Sequence, residues 1–353
     1  MSMRGVWLAS ASFALLALVA CGRGGDGAKT EQSSAENIAV ALDVCANGGD
    51  ALCENQALAR LESAAHEALV AESSAISDAG AALLVQNQNR WREAARVICG
   101  LGGPDAEPNA EQQSCLEDRF RARAQEVRQA VQEVGGYTFQ RMELVDAAPV
   151  SAAMAASSGL GEEAPNAIVR EIRFPRIDGR QTPAIQRFND LVAQQPQFRL
   201  EEATNETVDY RIAFAGPELI SVRFDMASDT LGAAHGNNTS KAVTVLMEEG
   251  RALVAGDVFR EGSGWENFLT QRAVSEIARQ FREDGFTPPE RDVRESVTKP
   301  HLWLITEEGL TLLFPPYSFG APYVMGGTEV SIPWADLRAY LNPAAPAPIR
   351  PSA

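Results

Sequence analysis

The chain has 353 residues, 45% of them hydrophobic, and carries 47 acidic against 31 basic side chains for a formal net charge of −16. That length allows two domains with cores of their own. Such acidity excludes nucleic acid as a natural partner and favours basic proteins, chiefly through faster encounter, although it also serves solubility alone.

The first segment is built for export. Arg4 is basic, residues 6–20 carry no charge, and this apolar run is shorter than the about 20 residues of a spanning helix. It ends in Leu18-Val19-Ala20-Cys21 followed by Gly22, which resembles the lipobox of bacterial lipoproteins. The resemblance implies cleavage of residues 1–20 as a signal peptide, a lipid on Cys21, and residence in the cell envelope, with the outer membrane facing the periplasm expected because Gly22 is not Asp. An ordinary signal peptide cleaved near Ala20, or an uncleaved anchor, is the alternative. Residues 21–36 are Gly, Ser, Glu and Lys with little apolar content and are expected to be a tether.

Residues 37–136 show helix-spaced apolar positions, among them Leu58, Leu61, Ala65 and Leu69, then Trp91, Ala95 and Ile98. A further helix is expected from Cys115 to Val134, ended by Gly135-Gly136. Apart from Cys21 the cysteines are Cys45, Cys53, Cys99 and Cys115, an even set that reads as two disulfides in an exported chain. Three connectivities are open. Short loops favour Cys45 with Cys53 and Cys99 with Cys115, while a helical hairpin would bring Cys53 to Cys99. No Cys-x-x-Cys pair is present and the nearest histidine, His66, stands alone, so neither metal nor cofactor is expected.

Residues 137–166, rich in Ala, Ser, Gly and Glu towards their end, read as a linker, and residues 167–342 as the second domain. There Val208 to Phe214 and Leu219 to Phe224 alternate as strands around a Gly216-Pro217 turn. Further strands are expected near 242–247, 302–306, 311–314 and 329–332, with helices at about 183–194, 265–282 and 334–340. The fold class is therefore α+β: a small disulfide-linked helical domain followed by an antiparallel sheet covered by helices. The Pro-Ala tail, 343–353, is expected to be disordered.

Two family resemblances follow from these segments. Cys45 and Cys53, Gln88 and Trp91 ahead of Cys99, and Cys115-Leu116 before Arg121 and Arg123 resemble the LprI-like family, some of whose members inhibit lysozyme. Glu62 stands where that family usually has Asp, and Ala68-Leu69 where it has an aromatic. Phe174-Pro175 with Asn189, Ala234-His235-Gly236, Gly256-Asp257-Val258-Phe259, Pro316-Tyr317, Gly326-Gly327 and Ile332-Pro333-Trp334-Ala335-Asp336-Leu337 resemble the extracytoplasmic domain of the RsiV anti-sigma factor. That resemblance implies lysozyme binding, and neither a sigma-binding region nor a deacetylase domain accompanies it.

Catalytic patterns are sparse. His66, His235 and His301 are far apart, Ser263 lacks a nucleophile-elbow spacing, and paired carboxylates such as Glu307-Glu308 sit at turn-like positions. An enzyme is not expected. The partner-binding candidates are Tyr317, Phe319 and Tyr323 on a proline-broken aromatic loop, with His235 and Trp91, each of which has a structural alternative: turn-holding for His235, core for Trp91. The expected function is a non-catalytic envelope lipoprotein that binds and inhibits a lysozyme-type muramidase by covering its cleft. The alternative is a structural or peptidoglycan-binding envelope module.

Overall fold

The apolar stripes of the first third become three helices, α1 (Gln56–Ser73), α2 (Asp78–Ile98) and α3 (Ala110–Glu126). Each starts on a side-chain cap: Asn55 accepts from the amides of Ala57 and Leu58, Ser77 from that of Gly80, and Asn109 forms a capping box with Gln112. A computed structural model describes residues 39–43, 45, 51–103, 105–194 and 202–350. The signal segment, Cys21 and the tether lie outside the described residues. Between the helices, Trp91 meets Phe120 edge-on at 5.1 Å beside Leu58, Ala95 and Leu116. Disulfides join Cys45 to Cys53 and Cys99 to Cys115, the short-loop pairing. Among the described residues no helix is long and apolar enough to cross a membrane.

The third helix stops earlier than its sequence suggests. Residues 131–134 form strand β1 (Val131–Val134), and Gly135-Gly136 is the two-residue turn into β2 (Tyr137–Pro149). Both glycines have positive φ, as a tight hairpin turn demands, and a Cβ on Gly135 would lie 2.0 Å from the Ala215 carbonyl oxygen. The expected linker, 137–166, is thereby corrected. Strand β2 fills its first half and, after a short helix α4 (Ala152–Ser158), the chain returns as β3 (Ala167–Ile177), paired with β2 from Phe139–Ile177 to Pro149–Ala167.

Helix α5 (Pro183–Ala193) then crosses over, so that β4 (Thr204–Ala215) runs parallel to β3. The remaining strands, β5 (Leu219–Thr230), β6 (Asn237–Leu246) and β7 (Arg251–Ala252), are antiparallel and complete a seven-stranded sheet in sequence order. The sheet is thus mixed, where a purely antiparallel one was expected. The parallel pair is what a helical crossover permits and a hairpin does not.

Both faces of the sheet are covered. On one, Phe188 and Val192 of α5 pack on Ile172, Phe174, Val222 and Phe224. On the other, α2 and α3 lie over β2, where Val145 joins the Trp91 cluster. The docking is polar as well as apolar. The Asn87 amide donates to the Arg141 carbonyl at 3.1 Å, Gln140 donates to the Gly80 carbonyl at 2.7 Å, and Asp178 accepts from the Ser77 amide and hydroxyl at 2.6 and 2.8 Å. The helical segment is therefore a layer on the sheet, and its boundary at 136 falls inside a hairpin.

A second, three-stranded antiparallel sheet, β8 (Trp303–Ile305), β9 (Gly309–Phe314) and β10 (Thr328–Pro333), is built in the last third together with α6 (Ala255–Val258), α7 (Trp265–Gln280), α8 (Glu290–Val297) and α9 (Trp334–Leu337). Phe259, Trp265 and Trp303 stack and abut at 4.6–5.5 Å in its core. The tail expected to be disordered is docked instead as far as Arg350. Ala345 and Ile349 are fully buried in the same core, and Arg350 pairs with Glu218. Its small alanines and one isoleucine supply what the core needs despite the proline-rich composition.

Candidate functional site

A groove of about 1050 Å³ opens where β4, β5 and β6 of the large sheet face the connection between β9 and β10. Strand register builds its polar side. Asp209, Asp225 and Ser240 stand opposite one another on adjacent strands, so their side chains emerge on one face as a row. Arg223, two residues before Asp225 and therefore on that face, clamps it through Nε at 2.8 and 2.9 Å and reaches Glu329 on β10. Arg173 reaches Asp209 at 3.8 Å. Three carboxylates thus line the groove against one guanidinium, with Leu313, Phe314 and Met226 providing apolar wall.

The opposite rim is the loop at 315–327. Ser318 donates its amide to the Pro315 carbonyl at 3.0 Å, closing a turn in which Tyr317 has φ +69°. That third position is the one type II turns give to glycine, and a tyrosine there costs on the order of 1 kcal/mol in backbone strain. Tyr317 is nonetheless 58% exposed, and Val324 is 90% exposed. Tyr317 lies 5.6 Å from Tyr323, which stacks on His235 at 4.3 Å and accepts a hydrogen bond from the Asn238 amide at 3.0 Å. His235 Nδ1 lies 2.8 Å from the Gly236 carbonyl oxygen, the turn-holding contact weighed from sequence.

Of the five partner-binding candidates, the fold brings Tyr317, Tyr323 and His235 together. The expectation for Phe319 is corrected: it is fully buried against Phe281, Phe286 and Phe314, because the turn that projects Tyr317 sends Phe319 inward two residues later. Trp91 is likewise core, with the Arg123 guanidinium 5.2 Å above its ring. The carboxylates of the groove escaped sequence reasoning. Their signal was the alternation in β4 and β5 that places acids on the face opposite the apolar residues.

A chain of charges links this groove to the helical layer. Arg123 accepts its place from three directions: it donates to Gln88 at 2.9 Å, pairs with Glu143 at 2.7 Å, and covers Trp91. Burial pushes the Glu143 carboxyl up, but the guanidiniums of Arg123, Arg141 and Arg173 outweigh it and hold the group below the ordinary carboxylate range. Glu62, buried beside Arg92, goes the other way, since burial outweighs the pull of Arg92. His301, near the groove's flank, is lowered by burial and by Lys299 and Lys241. Among the described residues no group of three His, Cys, Asp or Glu side chains could hold a metal ion.

Comparison with known proteins places residues 256–335, which include the β9–β10 loop, in a match to a family described as "Protein of unknown function (DUF3298)". Two solved structures of DUF3298 family proteins align with part of the chain. One, from Bacteroides fragilis, aligns at a TM-score of 0.43 and 14% identity over 60% of this chain and 96% of its own. The other, from Pseudomonas aeruginosa PAO1, aligns at a TM-score of 0.43 and 14% identity over 62% of this chain and 98% of its own. No curated protein matches the chain.

Proposed function

We propose that this chain is a non-catalytic lipoprotein of the bacterial cell envelope that binds lysozyme-type muramidases and covers their substrate cleft. The observation that carries the reading is the groove, where Tyr323 and the exposed Val324 face a row of carboxylates. Rigid aromatic side chains beside solvated charge are what a protein interface uses for anchoring and steering. A net charge of −16 suits a basic enzyme as partner. The resemblances of the Cys45 to Arg123 segment to the LprI-like family, and of the segment from Phe174 to Leu337 to the RsiV extracytoplasmic domain, point to the same class of partner. The lipobox-like Leu18 to Cys21 supports a lipid anchor that holds the chain at the outer membrane, facing the periplasm.

A second reading is favoured by the stacked His235 and Tyr323 beside Asn238, an arrangement that also suits a sugar ring, and it makes the chain a peptidoglycan-binding module. Surface plasmon resonance of the full chain in detergent against several lysozymes and against purified sacculi separates the two. The inhibitor reading requires lysozyme binding and protection in a cell-wall lysis assay; binding to sacculi alone favours the module.

A further inference from the structure

Local rules of stability are broken at several places around this one groove. Asp209 and Asp225 oppose each other directly across β4 and β5, where like charges are destabilising. Their side chains remain 58% and 50% exposed, and that of Glu329 40%. The cations nearby do not cancel the row. Arg223 is committed to Asp225 and Glu329, Arg173 also serves Glu171 and Glu126 and meets Asp209 only at 3.8 Å, and Arg211, exposed in the next row, forms no ion pair among the described residues. On the facing rim Tyr323 lines the groove and Val324 projects into solvent. Arg223 and Ser240 tie Asp225 and Glu329 into the fold, but the direct opposition of Asp209 to Asp225 and the exposure of Val324 do not help the chain to fold. Sequences that are otherwise locally consistent depart from such rules where a site is maintained against stability.

We infer that the groove receives a cationic side chain, lysine or arginine, from a basic protein partner: its charged head lies over Asp209 and Asp225, and its aliphatic stem is closed in by Tyr323 and Val324. This rests on the proposed function and specifies which group of the partner that surface recognises. Arg223 acts as the positioning residue. By holding Asp225 and Glu329 it fixes the carboxylates before the partner arrives, so little side-chain entropy is lost on binding. Stem and head then find complementary surfaces, since a lysine or arginine is apolar along its length and charged only at its end.

The consequence is an opposition between stability and affinity. Asp209→Asn relieves the cross-strand repulsion while removing a charge from the receptor. Asp229→Asn removes the same charge from an exposed position on β5 outside the groove lining and serves as control. Full-length variants are compared by thermal melting and by surface plasmon resonance on a basic lysozyme. The expected result for Asp209→Asn is a melting temperature equal to or above wild type and about tenfold faster dissociation, with Asp229→Asn dissociating as wild type does. Wild-type binding with Asp209→Asn unchanged, or matched by Asp229→Asn, overturns this inference alone, as does a lower melting temperature, which would mark Asp209 as a structural support. Absence of lysozyme binding by wild type overturns the proposed function together with it.

Discussion

Replacing Arg123 by methionine tests whether the helical layer and the sheet fold as one unit. Arg123 and Glu143 are almost wholly buried, one on α3 and the other on β2, and they meet at 2.7 Å. Methionine keeps much of the stem but strands Glu143 with Arg141 and Arg173, and takes the donor from Gln88. Removing one partner of a buried pair costs about 3–5 kcal/mol, because the remaining charge is left uncompensated. The pH dependence has a definite sign. In wild type the folded-state pKa of Glu143 lies below the ordinary value of 4.5, so its contribution is present above that value and is lost as pH falls through the folded pKa. Without Arg123 burial dominates and the folded pKa rises, so the penalty shrinks on acidification. Urea unfolding followed by circular dichroism and tryptophan fluorescence should therefore show a deficit of about 3–5 kcal/mol at pH 7 that narrows at pH 4, with both probes moving together. Adding Glu143→Leu should restore most of the loss. A deficit under about 1 kcal/mol, or one indifferent to pH, would refute the reasoning.

A fragment of residues 166–343 is expected to be insoluble or unfolded by size exclusion and circular dichroism, since it loses β2, the antiparallel partner of β3 along its full length, together with the buried Ala345 and Ile349. Phe319→Ala should cost about 3–5 kcal/mol in urea unfolding as a cavity in an aromatic core, whereas Tyr317→Gly should stay within about 1 kcal/mol of wild type, strain relief offsetting lost ring contact. Cys21→Ser should abolish incorporation of labelled fatty acid and membrane association on envelope fractionation; absence of label in wild type would remove the anchor.

Amphipathic periods made the helical character of the first third and the β4–β5 hairpin legible in the chain, with Gly216-Pro217 turning the strands locally, whereas the end of the third helix was not, since residues 131–134 pair as a strand. What lay hidden depended on pairing at a distance. Strand β2 mixes Arg141 and Glu143 with apolar neighbours, and those charges are tolerable inside only because Arg123, Asn87 and Arg173 arrive from elsewhere. Helix α8 is eight residues of mostly charged sequence held by Val293 and Val297, too few to show a period. At the site, the aromatic loop was visible as a cluster, yet which ring faces outward was decided by one left-handed residue. The acids were invisible as a group because register, not sequence spacing, brings Asp209, Asp225 and Glu329 to one groove.

The most direct measurement of the account is the affinity of the full chain for a panel of lysozymes by surface plasmon resonance at about 0.05 and about 0.15 M salt, where the Debye length falls towards about 8 Å. Steering by the acidic surface predicts saturable binding whose association slows with salt while dissociation changes little, and whose dissociation quickens when Tyr317 and Tyr323 are replaced by alanine. No binding to any lysozyme at micromolar protein would contradict it.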